Sequence, residues 1–155
     1  GDIDGDGDEE ILIGNRGYDN PTTNEGTALL FKGAPNLSPR PIVEIAYKTD
    51  DVFNYSFGKA LSTNGDYNND GLTDILVGAP SGSNPSSEEG QVFLFYGSPS
   101  DPLGTFDWKM ESNQAGAKFG SSVSKAGDFN NDGYDDVLIG APNYTYTSFQ
   151  GAALV

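Results

Sequence analysis

The feature that most constrains this chain is an internal repeat. Phe57–Pro80 (FGKALSTNGDYNNDGLTDILVGAP) lies over Phe119–Pro142 (FGSSVSKAGDFNNDGYDDVLIGAP) without a gap, at an offset of 62, with 14 of 24 positions identical. Gly1–Gly14 (GDIDGDGDEEILIG) lies over Gly65–Gly78 at an offset of 64, with 7 of 14 identical. A second landmark trails each copy: Gly26 before TALLFKG, Gly90 before QVFLFYG, and Gly151 before AALV. A unit recurring at a fixed period buries its faces against its own neighbours, so the fold is an array and its core is distributed. The chain opens inside a motif and closes in the apolar run Ala152–Val155, and its single Met is Met110. The expectation is a piece of a longer protein holding two and a half copies.

Within the unit the signals are those of strands. Leu61–Thr63 and Val123–Lys125 precede an Asp-rich stretch, and Ile75–Val77 and Val137–Ile139 follow it. Short continuous apolar runs suit strands buried on both faces. Gln91–Tyr96 is β-branched and aromatic, as a third strand requires. Phe106, Trp108 and Met110 alternate with Asp107, Lys109 and Glu111, and Val43, Ile45 and Tyr47 repeat that alternation. A period of two predicts an outer strand with one wet face. The fold class is therefore all-β, with β-propeller blades of four antiparallel strands. Residues 1–48 read as a partial blade without its inner strand, 49–111 as a complete blade, and 112–155 as a partial blade without its outer strand. The period exceeds the ~40–50 residues of common propeller repeats, so the loops are long.

Each copy also carries D-x-[DN]-x-D-G-x-x-[DE]. The instances are Asp2, Asp4, Asp6, Gly7, Glu10; then Asp66, Asn68, Asp70, Gly71, Asp74; then Asp128, Asn130, Asp132, Gly133, Asp136. Calcium takes six to eight oxygens, and alternate side chains at positions 1, 3 and 5 converge when such a loop curls around the ion. Glycine at position 6 permits the turn. Position 7 (Asp8, Leu72, Tyr134) offers a backbone carbonyl, and position 9 closes the shell with a carboxylate. Carboxylates ~4 Å apart repel by up to ~4 kcal/mol per pair at an effective dielectric near 20. No Lys or Arg lies within any loop to offset this. The cofactor predicted is calcium, up to three ions, with the altered loop at Asp2 the weakest match. Asn68 and Asn130 lower the ligand charge, which predicts affinities toward ~10⁻⁴–10⁻³ M, and magnesium, which avoids all-protein cages, fits less well.

Composition narrows the functions. The net charge is −15, so a basic nucleic-acid footprint is absent. Three bound calcium ions would reduce that charge to −9. With no Cys and no His, thiol catalysis, Cys/His zinc sites and histidine bases are excluded within this segment. No stretch approaches the ~18 apolar residues of a membrane helix, so no membrane insertion is expected here.

Phe57-Gly58 and Phe119-Gly120, each followed by an acidic loop and then by Gly78-Ala79-Pro80 or Gly140-Ala141-Pro142, resemble FG-GAP repeats. Such repeats build the seven-bladed propeller of integrin α-chains and of many secreted proteins. The first copy departs, reading Gly14-Asn15-Arg16 where Gly-Ala-Pro is expected. The resemblance implies an extracellular or cell-surface location and partners in the remaining blades of a parent chain. It places the metal loops on the lower face and a protein or carbohydrate ligand on the upper face. The upper loops would be Asn15–Glu25, Ser81–Glu89 and Asn143–Gln150, with the interblade segments Thr49–Tyr55 and Ser112–Lys118. They carry Arg16, Tyr18, Phe53, Tyr55, Tyr144, Tyr146 and Phe149. It also implies that Phe57 and Phe119 pack against a neighbouring blade. The function expected is a calcium-stabilised recognition or adhesion module and not an enzyme. Two alternatives stand beside it: the propeller of a secreted carbohydrate-active enzyme of polysaccharide-lyase type, and a purely structural repeat of a large surface protein.

Overall fold

A computed structural model of the chain describes residues 1–19, 25–33, 43–45, 56–83, 86–99, 105–146 and 149–154, with backbone alone at 43–45, 149, 150 and 152–154. The interblade segment 49–55, with Phe53 and Tyr55, and also Tyr47 lie outside the described residues, as does the side chain of Phe149.

The described residues form ten strands and no helix: β1 Ile11–Asn15, β2 Thr27–Phe31, β3 Val43–Ile45, β4 Ala60–Gly65, β5 Asp74–Ala79, β6 Gln91–Phe95, β7 Trp108–Glu111, β8 Ser122–Gly127, β9 Asp136–Tyr146 and β10 Phe149–Leu154. They make three antiparallel sheets ordered β1-β2-β3, β4-β5-β6-β7 and β8-β9-β10. The repeat is written into the registers. Ile75 faces Phe95 across β5 and β6 as Ile11 faces Phe31 across β1 and β2. Ala60 faces Gly78 as Ser122 faces Gly140, and each of these pairs is irregular just before its acidic loop.

The core lies between the sheets. In β5 every residue is buried, and so is every residue of β6. One face of this hairpin (Ile75, Val77, Ala79, Phe93, Phe95) packs with Ile3, Ala28, Leu30 and Phe57. The other face (Leu76, Val92, Leu94) packs with Tyr67, Phe119, Val123, Ile139 and Ala141. Phe57 and Phe119 thus each sit between consecutive sheets, as the resemblance implied. Gly26 bridges Phe57, and Gly90 bridges Phe119, in parallel register across the same junctions.

That junction explains the two glycine motifs. A Cβ at Gly78 would lie 2.1 Å from the Gly120 carbonyl oxygen, and one at Gly14 would lie 2.0 Å from the Gly58 oxygen. Gly58 and Gly120 themselves sit at φ of +80° and +81°. Gly78 of Gly-Ala-Pro, and Gly14 at the same place in the first copy, therefore each abut the Gly of the next Phe-Gly. The first copy keeps Gly14 and loses the Ala and Pro, so the close approach falls on the glycine. Gly78→Ala forces two backbones apart, and we expect it to cost ~1–3 kcal/mol by analogy with overpacked cores. Gly17→Ala, where an added Cβ would meet nothing within 4 Å, is the control and should stay within ~0.5 kcal/mol. Denaturant midpoints measured for both variants check the contrast.

Two expectations change. Phe106 does not share a face with Trp108 and Met110. It packs on Phe93 with ring centroids 5.5 Å apart, on the side of the first sheet, whereas Trp108 pairs with Leu94 and Met110 with Val92, toward the third sheet. Asp107 also donates its N–H to the Leu94 carbonyl, at 2.9 Å, so two residues meet one and the alternation slips. Trp108 and Met110 are 37% and 38% exposed, and line a cavity of about 350 Å³ with Tyr67, Tyr96 and Ile139. The outer strand therefore has no fully dry face. The second change is at 143–150: β9 runs through Tyr146, which pairs with Phe149, so most of that expected loop is hairpin. The aromatic and β-branched run Tyr144-Thr145-Tyr146 extends readily, whereas the equivalent stretch of the second copy contains Gly82 and Pro85, residue types that interrupt strands.

Candidate metal centres

The three acidic loops share a hydrogen-bond scheme in which position 1 accepts from the position-6 amide, position 3 from position 5 and position 5 from position 7. In the second, both Asp66 carboxylate oxygens accept amides, from Asp70 at 3.0 Å and Gly71 at 2.9 Å. Asn68 Oδ1 accepts from Asp70 N, and Asp70 Oδ1 from Leu72 N. The third repeats this: Asp128 accepts from Asp132 and Gly133, Asn130 from Asp132, and Asp132 from Tyr134. In the first, Asp2 accepts from Gly5 and Gly7, Asp4 from Asp6, and Asp6 from Asp8. These Asx turns are local side-chain-to-backbone bonds, and they curl each loop back on itself. The glycine at position 6 has φ of +89° to +94° in every loop. Position 4, unassigned from the sequence, is left-handed as well: Gly5, Asn69 and Asn131 have φ of +75°, +57° and +59°. The signal was present, since Gly and Asn are the residues that tolerate this region.

Position 9 closes each loop by holding amides. Glu10 accepts from Ile3 N at 2.8 Å and Gly33 N at 3.3 Å. Asp74 accepts from Tyr67 N at 2.6 Å and Gly97 N at 2.8 Å. Asp136 accepts from Phe129 N and Asn130 N. Gly33 and Gly97 end the LFKG and LFYG landmarks, and nothing in those landmarks announces this role. Glu10 and Asp74 are buried. Burial pushes the Asp74 carboxyl up to about 6; the Gly97 and Tyr67 amides pull against this, and Asp70 and Asp66 add to it.

The loops differ in setting. Carboxylate oxygens of Asp2, Asp4 and Glu10 lie within 4.8 Å of one another, the one such acidic trio among the described residues. The same positions elsewhere hold Asp66, Asn68, Asp74 and Asp128, Asn130, Asp136, where an amide carbonyl replaces one carboxylate. The loop that departs most from the pattern is thus the most acidic. The premise that no cation reaches these loops holds along the chain and fails in space. Lys32 Nζ, from the end of β2, lies 2.7 Å from Asp4 Oδ2 and 2.5 Å from Asp6 Oδ2. Lys125 Nζ lies 2.6 Å from Asp135 Oδ2. Neighbouring loops also touch: Thr73 N donates to the Asp2 carbonyl at 2.9 Å, Asp135 N to that of Asp66 at 3.3 Å, and Asp66 N to Asp135 Oδ2 at 2.9 Å.

The opposite strand ends form a second cluster. Gly116 N, Lys118 N and Phe119 N donate to the carbonyls of Ser87, Glu88 and Glu89. The Gln114 side chain accepts from Thr145 N at 2.5 Å and donates to the Thr145 carbonyl at 3.1 Å. The segments 81–89 and 112–118 and the β9–β10 hairpin are therefore joined, away from the acidic loops. Arg16 and Tyr146 are exposed, while Tyr144 packs on the core.

Antiparallel blades joined through paired glycines, each with an acidic loop leading into the strand of its apolar Ile-Leu or Val-Leu run, define a β-propeller repeat protein. The chain belongs to the FG-GAP repeat family, whose model matches residues 60–95 and 119–155. It is 35% identical to integrin alpha-PS2 of Drosophila melanogaster over 153 residues, which covers 90% of this chain and 11% of that protein. It is 40% identical to integrin alpha-4 of Xenopus laevis over 87 residues (56% of this chain, 8% of the other). It is 38% identical to integrin alpha-8 of Mus musculus over 125 residues (72% and 11%). The chain thus spans about a tenth of the length of the curated relatives it matches. Among the described residues no helix is long and apolar enough to cross a membrane.

Proposed function

We propose that this chain forms calcium-stabilised blades of an extracellular recognition propeller of integrin α type. The observation that carries this reading is the shared hydrogen-bond scheme of the three loops. It lines each loop with hard oxygen donors that its own amides hold in place, and calcium is the ion such donors suit. The ligands are Asp2, Asp4, Asp6, Glu10 and the Asp8 carbonyl; Asp66, Asn68, Asp70, Asp74 and the Leu72 carbonyl; and Asp128, Asn130, Asp132, Asp136 and the Tyr134 carbonyl. Bound calcium neutralises the carboxylates and locks each β-strand pair at its acidic end. The joined loops at the other end carry the contact surface for a protein or carbohydrate partner.

The outer faces of the array take further repeats of the same kind. Ile11 and Ile13, at the positions of the fully buried Ile75 and Val77, are 50% and 48% exposed, and Leu138, at the position of buried Leu76, is 38% exposed. Exposed apolar rows where an equivalent row is dry mark a docking face.

Calcium titration calorimetry tests the metal reading, with three ions per chain expected at pH 7. The second loop should also be sensitive to pH. Its Asp74 carboxyl titrates near 6 when folded, above its unfolded value of 3.8, so the calcium-free fold holds a proton there up to about pH 6. Calcium must displace that proton, because a ligating carboxylate is ionised. Affinity therefore rises with pH through about 6 and then levels. At pH 5 the second site should bind about tenfold more weakly than at pH 7. A stoichiometry of zero at pH 7 would sink the proposal.

A further inference from the structure

We infer that Lys32 is the residue that sets the calcium affinity of the first loop, by cancelling the extra carboxylate of Asp4. This rests on the calcium reading above and concerns how one of its sites is tuned.

In the second and third loops position 3 is an asparagine, and its amide does two things. Its oxygen accepts from the position-5 amide, and its Nδ2 donates to the position-5 carboxylate. The distances are 2.9 Å from Asn68 to Asp70 Oδ2 and 3.0 Å from Asn130 to Asp132 Oδ2. Asp4 stands at that position in the first loop and has no proton to donate. The donor is supplied from outside: Lys32 Nζ bridges Asp4 Oδ2 and Asp6 Oδ2. It thus meets the same position-5 oxygen that the asparagine amide meets elsewhere.

The exchange is paired in the sequence. Lys32 occupies the place in LFKG that Tyr96 occupies in LFYG. The copy with Asp at position 3 has Lys here, and the copy with Asn has Tyr. The charge balances accordingly. Asp2, Asp4, Asp6 and Glu10 bring four negative charges, and Lys32 returns the first set to three. Asp66, Asp70, Asp74 and Asp128, Asp132, Asp136 bring three each. The Lys32 side chain is 39% exposed, so its tip has room to turn from Asp4 and Asp6 when an ion enters.

A unit positive charge held a few ångströms from a divalent ion weakens its binding by about tenfold even at the dielectric constant of water. Removing it must tighten the first site, and removing the Asp4 charge as well must restore it. The test is a calcium titration of the full chain followed by the backbone amide signals of Gly7, Gly71 and Gly133, one per loop. Lys32→Tyr, which installs the second copy's residue, should lower the Gly7 midpoint about tenfold. Asp4→Asn alone should raise it about tenfold. The double variant should return within about threefold of the parent, and Lys32→Arg should leave it in place. The Gly133 midpoint should hold in all of them, which reports an intact fold. Should Lys32→Tyr unfold the chain, Lys32→Gln removes the same charge on a similar stem and carries the same expected shift. If Gly71 and Gly133 titrate normally while the Gly7 midpoint ignores the loss of Lys32, the tuning role is wrong and the calcium reading stands. If no glycine amide responds to calcium, both fall.

Discussion

Transfer of this chain from saturating calcium to a chelator should lower its melting temperature by roughly 15–30 °C. At free calcium ~100 times the dissociation constant, each site that binds only the folded state adds ~2.7 kcal/mol. Three such loops give ~8 kcal/mol, and for a chain of this size ~1 kcal/mol moves the midpoint by ~2–4 °C. The size of the effect has a structural cause. Without calcium each loop crowds carboxylates whose amide bonds orient them without cancelling their charge. The chain carries 23 acidic residues against 8 basic ones, so little else offsets them. The loops also abut through Thr73 and Asp2 and through Asp135 and Asp66, so the loss of order in one reaches the next. Scanning calorimetry in both buffers measures this. The double change Asp132→Ala with Asp136→Ala should shrink the difference between the two melts by about one third, the share of one loop. A melting temperature indifferent to chelation would remove calcium from the account of this fold.

Strands buried on both faces are the easiest to read, because such a strand is one apolar run. Ile75–Val77 and Gln91–Tyr96 announce β5 and β6 for that reason. The acidic loops are legible because their chemistry sits within nine consecutive residues. What is hidden depends on groups far apart along the chain. Lys32 lies 28 residues from Asp4, and Gly97 lies 23 from Asp74; no local pattern joins them. Alternation misplaces Phe106 because it assumes an unbroken register, and the doubled meeting of Asp107 and Trp108 with Leu94 breaks it. The stretch 143–150 reads as a loop only by analogy with 81–89, although its own residues lack the Gly and Pro of that stretch before Gln150.

Phe57→Ala should be the costliest single truncation in the joint between the first two sheets, at ~3–5 kcal/mol. Its ring is wholly buried, 5.5 Å from Phe93 and 6.5 Å from Phe95 in tilted and edge-on arrangements. Its N–H donates to the Glu25 carbonyl at 3.0 Å, so the backbone is held while the side chain fills the space between sheets. Alanine leaves a void that neither sheet can close, because the facing glycines already bring the backbones into contact. Phe129→Ala removes the same ring where it is 75% exposed and should change stability by no more than ~0.5 kcal/mol. Urea unfolding of the two variants checks the contrast, and equal losses would contradict the placement of the core. The comparison also probes the array. Position 2 of the loop is Ile3 in the first copy, 0% exposed, and Tyr67 in the second, 9% exposed; only Phe129 is open. If a further blade covers the third as the third covers the second, a chain extended by one repeat buries Phe129. There the same Phe129→Ala change should cost ~3 kcal/mol or more, turning a neutral substitution into a core one without altering any residue around it in this chain.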